Sequence, residues 1–249
     1  MLDRETFLRP IAHRGLHNLK QSRVENSASA FEAAIAKGYG IECDLRPASG
    51  GLPVVFHDLT LDRLIKGKGR VADLFPGDLK RLTYKASGDT LLSFADLLDL
   101  VDGKVPLLVE IKSEWEPPDR QFLGRVAKLA MAYKGPIALM SFDPDVMGVI
   151  RHVAPQIPRG IVSGSYRGAG WWNRKISRAR AAELRELLLS GPVAPHFFAY
   201  EVAALPTPVT RFVRQVLDLP LFTWTVRTAK DRAIAAAHAD APIFERYEP

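Results

Sequence analysis

The sequence predicts an α/β protein, a TIM-type (β/α)8 barrel carrying a small helical insertion after the second strand hairpin. Three observations predict it. Short apolar or β-branched runs alternate along the chain with longer segments of helical spacing. Eight such runs can be found, the number a closed parallel barrel requires. The chain has 249 residues, the ordinary size of one barrel, and is read as a single domain over 1–249.

The strand runs cover residues 10–13, 40–45, 105–111, 137–141, 160–163, 197–200, 221–226 and, more weakly, 242–244. Helical patterns fall at 27–37, 120–133, 144–153, 179–189, 208–217 and 229–239. The first of these puts Phe31, Ala34 and Ile35 on one face, with Asn26 or Ser27 as N-cap. Asp143 is placed to cap the helix that follows it. Alternation of this kind implies parallel strands joined by crossovers.

Two segments break the alternation. Residues 46–53 are too few for a crossover helix and contain Gly50-Gly51, a pair suited to a tight turn. Residues 53–57 therefore return as a strand antiparallel to 40–45, which brings His57 roughly opposite Asp44. Residues 59–104 hold short helical patterns, many charges and an apparent helix over 93–101, and are read as an insertion.

Composition narrows the classes. Hydrophobic residues make up 47% and charged residues 25%, as in ordinary soluble domains. The net charge of +6 suits an anionic partner. The single cysteine, Cys43, excludes an internal disulfide and fits a reducing compartment. The first residues include Asp3 and Glu5 and no apolar run, unlike a signal peptide. No apolar stretch approaches the ~20 residues of a membrane span. A cytoplasmic location is expected.

Glu42 and Asp44 sit two apart in a strand and so share a face. Taken alone, Glu-x-Asp is more often a pair of exposed acids. On the inner face of a barrel the two would repel, and one divalent cation would relieve them; oxygen ligands favour Mg²⁺, Ca²⁺ or Mn²⁺. Glu110 closes the apolar run Val105–Val109 in one-letter form VPLLV, where an unpaired acid would be costly unless it faced a polar cavity. Lys112 lies on the same face. His13 and His57 each close a strand and are each followed by a charged residue, a placement suited to acid–base chemistry. Arg14 can clamp a phosphate oxygen, and Gly15 lets a ligand approach the backbone. His17, in the loop after His13, is a weaker candidate. Cys43, between the two acids, must face the other side of its strand.

These residues carry a resemblance. HRG at His13, V-E-N-S at Val24, I-E-C-D-L at Ile41, V-V-F-H-D-L-T-L-D-R at Val54 and V-E-I-K at Val109 follow one another as in the glycerophosphodiester phosphodiesterase family. Ser141-Phe142-Asp143 and Trp224-Thr225-Val226 look like its later motifs. The resemblance runs from Ile11 to about Val226. It implies a barrel with a helical insertion and a metal-dependent hydrolase of lipid metabolism. Such an enzyme cleaves glycerophosphodiesters to an alcohol and sn-glycerol 3-phosphate. It implies His13 and His57 as acid and base, and Glu42, Asp44 and Glu110 as ligands of one divalent cation, Mg²⁺ or Ca²⁺, with Mn²⁺ also acceptable. Arg14 and Lys112 would hold the phosphate, and Trp224 would line the wall beside the glycerol carbons.

The chain departs from the family pattern in three places. Val24-Glu25-Asn26-Ser27 replaces Pro-Glu-Asn-Thr, and Ser caps as Thr does. Gly50-Gly51 lacks the usual acid before the hairpin glycine. The tail, Ile243-Phe244-Glu245-Arg246-Tyr247, replaces an Ile-Ile-Thr-Asp-like run, which leaves open both the closing strand and any site residue it contributes.

Two other classes compete. A non-catalytic barrel that binds phosphate or lipid headgroups would keep the basic charge, but a binding relic should have lost a histidine or a carboxylate, and none is missing. Trp171-Trp172 beside Arg174 and Lys175 resembles a stacking surface for single-stranded nucleic acid. An apolar loop lid or a surface touching phospholipid headgroups accounts for that pair better. No nucleic-acid partner is expected; transient contact with a membrane surface is compatible with the sequence.

Overall fold

The computed structural model describes residues 1–168 and 170–249. Its strands are β1 (Ile11–Ala12), β2 (Gly40–Ala48), β3 (Leu52–Val55), β4 (Leu92–Ser93), β5 (Leu107–Ile111), β6 (Ile137–Ser141), β7 (Arg159–Ser163), β8 (Phe197–Glu201), β9 (Leu221–Val226) and β10 (Ala241–Phe244). Among the described residues, eight of these form a closed parallel ring: β1 pairs with both β10 and β2, and the chain of pairings runs β10-β9-β8-β7-β6-β5-β2. The expected barrel is present. Its weakest expected strand, β10, closes it, with Ile243 beside Ile11 and Phe244 beside Ala12.

The Gly50-Gly51 hairpin forms. Both glycines take positive φ, 64° and 73°, where side chains are rarely tolerated. β3 runs antiparallel to β2, and β4 pairs with β3 outside the ring. The register pairs Leu45 with Val55, and the Phe56 N–H donates to Asp44 O. Phe56, not His57, therefore lies across from Asp44. His57 follows one residue later.

The helices are α1 (Arg4–Phe7), α2 (Ala28–Ala36), α3 (Pro76–Leu79), α4 (Phe94–Val101), α5 (Arg120–Ala132), α6 (Pro144–Val153), α7 (Arg178–Arg185), α8 (Pro208–Gln215) and α9 (Ala229–His238). Strand alternation sorts the core into two layers. Ile11, Leu108, Met140, Val162, Phe197, Phe222 and Ile243 fill the barrel, with Leu2 and Phe7 packed against them. Ile41, Cys43, Leu45, Leu107, Val109 and Leu139 point outward against the helices. Cys43 is thus a buried core residue, as its position between two inward acids requires.

The segment after the hairpin divides differently from the sequence reading. Leu61, Ile65, Val71, Leu79, Tyr84 and Leu91 make a separate cluster against Val54 and Phe56. Helix α4, however, packs through Phe94, Leu97 and Val101 into the barrel's outer layer and belongs to the ring of helices. Chain order alone groups it with the insertion; packing separates it. Among the described residues, no helix is long and apolar enough to cross a membrane.

Candidate active site

The inward positions at the C-terminal ends of the strands collect the charged residues. β2 turns Glu42 and Asp44 inward, and β5 sets Glu110 beside Asp44 in register. All three are buried, and one carboxylate oxygen from each lies within 4.8 Å of the others. Their counter-charges are unequal. Lys112 Nζ sits 2.8 Å from Asp44 Oδ1 and 2.7 Å from Glu110 Oε1. Arg14 Nε lies 3.1 Å from Asp44 Oδ2. The Asn26 side-chain amide spans Asp44: its Nδ2 donates to Oδ2 at 2.8 Å, and its Oδ1 accepts the Asp44 N–H at 3.2 Å. Burial opposes the charge on Asp44, but Lys112 and Arg14 outweigh it and hold the carboxyl well below the usual range.

Glu42 is in the opposite state. Its Oε2 accepts the Arg14 backbone N–H at 2.9 Å. Burial, together with Asp44 and Glu110, pushes its carboxyl well above the usual range. Three inward oxygens with a deficit of positive charge at Glu42 fit a hard divalent cation, which these carboxylates would hold.

Each candidate histidine is held by a carboxylate. His13 Nδ1 lies 2.7 Å from Glu245 Oε2, and Glu245 is backed by Arg227 Nε at 2.6 Å from Oε1. His57 Nδ1 lies 2.8 Å from Asp58 Oδ1, and Arg63 Nε lies 2.6 Å from Asp58 Oδ2. Burial works against ionising Glu245 and Asp58, yet their histidine and arginine partners hold both carboxyls well below the usual range. An ionised carboxylate can only accept, so each Nδ1 carries the proton and each Nε2 is left for chemistry. Burial lowers the His13 pKa, and the Arg14 charge adds to this while Glu245 opposes it. His13 Nε2 stands 3.9 Å from Glu42 Oε2.

A cavity of about 370 Å³ opens over these groups. His13, Arg14, Glu42, His57, Glu110, Lys112 and Trp224 line it. Asp44 lies beneath it, fully buried. Trp224 meets Phe142 edge-on, with ring centres 5.3 Å apart, as one apolar wall. Two further lining residues, Arg46 and Lys175 of the β7–α7 loop, both pair with Glu114, Arg46 at 2.6 Å. Of the remaining candidates, Gly15 serves packing: a Cβ there would stand 2.9 Å from the Ala30 backbone. His17 stays outside the cavity lining but reaches Glu245, at 3.4 Å. The Trp171 side chain and Ala169 lie outside the described residues.

The family model described as the glycerophosphoryl diester phosphodiesterase family matches residues 13–245. The chain belongs to this family. Both limits of the match are residues of the site, His13 and its partner Glu245. The chain is 32% identical over 171 residues to the probable glycerophosphodiester phosphodiesterase 1 of Mycobacterium tuberculosis, across 59% of this chain and 61% of that protein. It is 35% identical over 105 residues to human glycerophosphodiester phosphodiesterase 1, across 42% of this chain and 29% of that protein. The matched region thus spans about three fifths of the mycobacterial relative and under a third of the human one. Two solved structures share the fold. One is a protein from Silicibacter pomeroyi named a putative glycerophosphoryl diester phosphodiesterase, with TM-score 0.73, 21% identity and coverage of 95% of this chain and 89% of that one. The other is an Oleispira antarctica phosphodiesterase in complex with the product sn-glycerol-3-phosphate, with TM-score 0.73, 18% identity and coverage of 95% and 92%.

Sequence reasoning missed several residues of this candidate site. Glu245 lies in the atypical tail, whose role the sequence leaves open, although an acid directly after the last strand is a usable signal. Asn26 reads locally as an N-cap, but Ser27 holds that position without a side-chain hydrogen bond, and Asn26 is spent on Asp44. Asp58 and Arg63 stood in view in H-D-L-T-L-D-R, yet the ion pair between them depends on the loop's fold.

Proposed function

We propose that this chain is a metal-dependent phosphodiester hydrolase that cleaves glycerophosphodiesters to an alcohol and sn-glycerol 3-phosphate. One observation carries the reading most: two imidazoles, each with Nδ1 held by a carboxylate backed by an arginine, face a single cavity that Glu42 and Glu110 also line, with Asp44 clustered against them just beneath. Two imidazoles so held can take and return protons, and the acids answer the need for a divalent cation. Membership of the family, and the product found in the Oleispira antarctica neighbour, support the substrate class.

In this reading Glu42, Asp44 and Glu110 hold one Mg²⁺, Ca²⁺ or Mn²⁺. When bound, the cation supplies positive charge where negative charge grows on the phosphoryl oxygens. Arg14 and Lys112 line the same cavity and present further donors to those oxygens. Through Nε2, one histidine takes a proton from the attacking group, either water or the neighbouring glycerol hydroxyl whose cyclic product water then opens, and the other gives one to the departing alcohol. Trp224 and Phe142 offer an apolar wall to the glycerol carbons and shield the cavity from water. Small glycerophosphodiesters are the expected partners, with action in the cytoplasm and transient membrane-surface contact.

A panel of glycerophosphodiesters assayed with Mg²⁺, Ca²⁺ and Mn²⁺, with glycerol 3-phosphate detected, tests the proposal. Cation-dependent release supports it. Binding of the diesters without release would leave the barrel as a headgroup-binding module and overturn it.

A further inference from the structure

Glu245 is held from more sides than a histidine partner requires. Its Oε1 takes Arg227 at 2.6 Å and has Arg246 Nε at 3.4 Å. Its Oε2 takes His13 Nδ1 at 2.7 Å and has a second imidazole, His17 Nε2, at 3.4 Å. His17 Nε2 is sealed from solvent, and from 3.4 Å it joins His13 and Arg227 in holding the Glu245 carboxyl below its usual range. A buried nitrogen without a partner is costly, and Glu245 Oε2 is the acceptor in front of it. The loop that carries His17 is itself tethered. Leu16 N–H donates to Ala30 O on α2 at 2.9 Å, and His17 N–H donates to Gly15 O at 2.9 Å.

We propose that His17 is a positioning residue for the reaction proposed above. It pins Glu245 Oε2 on the side away from the arginines, so that the carboxylate stays aimed at His13 Nδ1. Without it, the pull on Glu245 is one-sided. Arg227 and Arg246 both act on Oε1, and a Glu side chain has rotamer freedom enough to follow them. His13 would then lose its fixed tautomer, and Nε2 would no longer be held deprotonated toward the cavity. A cation shared by His13, His17 and Glu245, whose ligand atoms lie within 4.8 Å of one another, is the other use of this cluster. Two guanidinium groups on the same carboxylate disfavour it.

The inference rests on the hydrolase reading, so its test includes a readout that needs no turnover. The variants are His17→Leu, His17→Gln, Glu245→Gln and the pair His17→Leu with Glu245→Gln. Nitrogen-15 NMR of the imidazoles reports the His13 tautomer in each. In the wild type His13 is expected as the Nδ1-protonated form, and His17→Leu should give a mixture while His17→Gln keeps the single form. In kinetics, His17→Leu should lower kcat by about tenfold with little change in KM, and His17→Gln should recover most of it. On the Glu245→Gln background, His17→Leu should cost nothing further. Should His17→Leu fail to fold by circular dichroism, His17→Asn, an amide too short to reach Glu245, takes its place.

An unchanged His13 tautomer and full kcat in His17→Leu would overturn the proposal. So would a loss that is equal in His17→Gln or fully additive with Glu245→Gln, or a second bound metal equivalent that disappears in His17→Leu. A wild type that cleaves no diester would sink the hydrolase reading instead, and the tautomer comparison would still decide the role of His17.

Discussion

His13 and Glu245 stand 232 positions apart in sequence, and the imidazole Nδ1 of one lies 2.7 Å from the carboxylate of the other. The contact exists because β10 closes the barrel against β1, so the residue after each strand arrives at the same rim. Glu245→Gln should leave the fold intact and lower kcat by about 10–100-fold, the usual cost of losing a partner that orients an active-site histidine. The sign of the pH effect follows from the charges. Glu245 raises the His13 pKa, so its neutralisation should lower that pKa further and shift whichever limb of the kcat profile His13 governs to lower pH. Rate–pH profiles of the two proteins, compared for the same substrate, check this; a limb moving to higher pH would count against it.

Glu42 gives a prediction about stability. Its folded pKa is raised, so its contribution is fully present below the unfolded carboxylate value and is lost as pH rises through the folded value. The metal-free protein should therefore melt at lower temperature as the solution becomes more alkaline, and a divalent cation should raise Tm more at pH 8 than at pH 6. Glu42→Gln should raise the metal-free Tm and abolish the response to cation. Thermal melts in EDTA and in added Ca²⁺ or Mg²⁺ measure all three. A cation response unaffected by the substitution would remove Glu42 from the ligand set.

Glu245 and Asp58 have the opposite sign. Both carboxyls are held below their usual range, so the stability they add is present above the unfolded value and declines as pH falls through the folded values. Urea melts should show stability dropping steadily below about pH 4. Arg63→Ala should flatten that acid slope by releasing Asp58 and Glu25, which it pairs at 2.6 Å and 2.7 Å.

Asn26 is buried, has φ 56°, and makes two hydrogen bonds to Asp44. Asn26→Ala should cost about 2–4 kcal/mol, from two lost buried hydrogen bonds and a strained backbone. Asn26→Gly separates the two causes, since glycine accepts the backbone angle but restores no amide. If denaturant melts returned Asn26→Gly to wild-type stability, the link to Asp44 would carry no weight.

Much of this architecture was legible in the sequence. β6 and β9 have the residue limits read from their apolar runs, and α6 starts and ends as its spacing and Asp143 cap imply. Those features are local: a period, a cap, a run length. What escaped was non-local or competed with a local reading. Glu245 gains meaning only when β10 lies beside β1, and its neighbours Arg246 and Tyr247 hid it. Asn26 satisfies the local pattern of a helix cap and is used elsewhere. α4 follows the insertion in sequence but buries Phe94 and Leu97 in the barrel layer. His57 misses its expected place opposite Asp44 by one residue, because the three-residue turn Ser49–Gly51 sets the β2–β3 register.

The most direct measurement is the release of glycerol 3-phosphate from a glycerophosphodiester by the purified chain with a divalent cation, set against His13→Ala and His57→Ala. The account predicts cation-dependent release in the wild type and a loss of about 10²–10⁴-fold in each variant, with both variants folded by circular dichroism. Wild-type rates in either folded variant, or release that persists in EDTA, would contradict it.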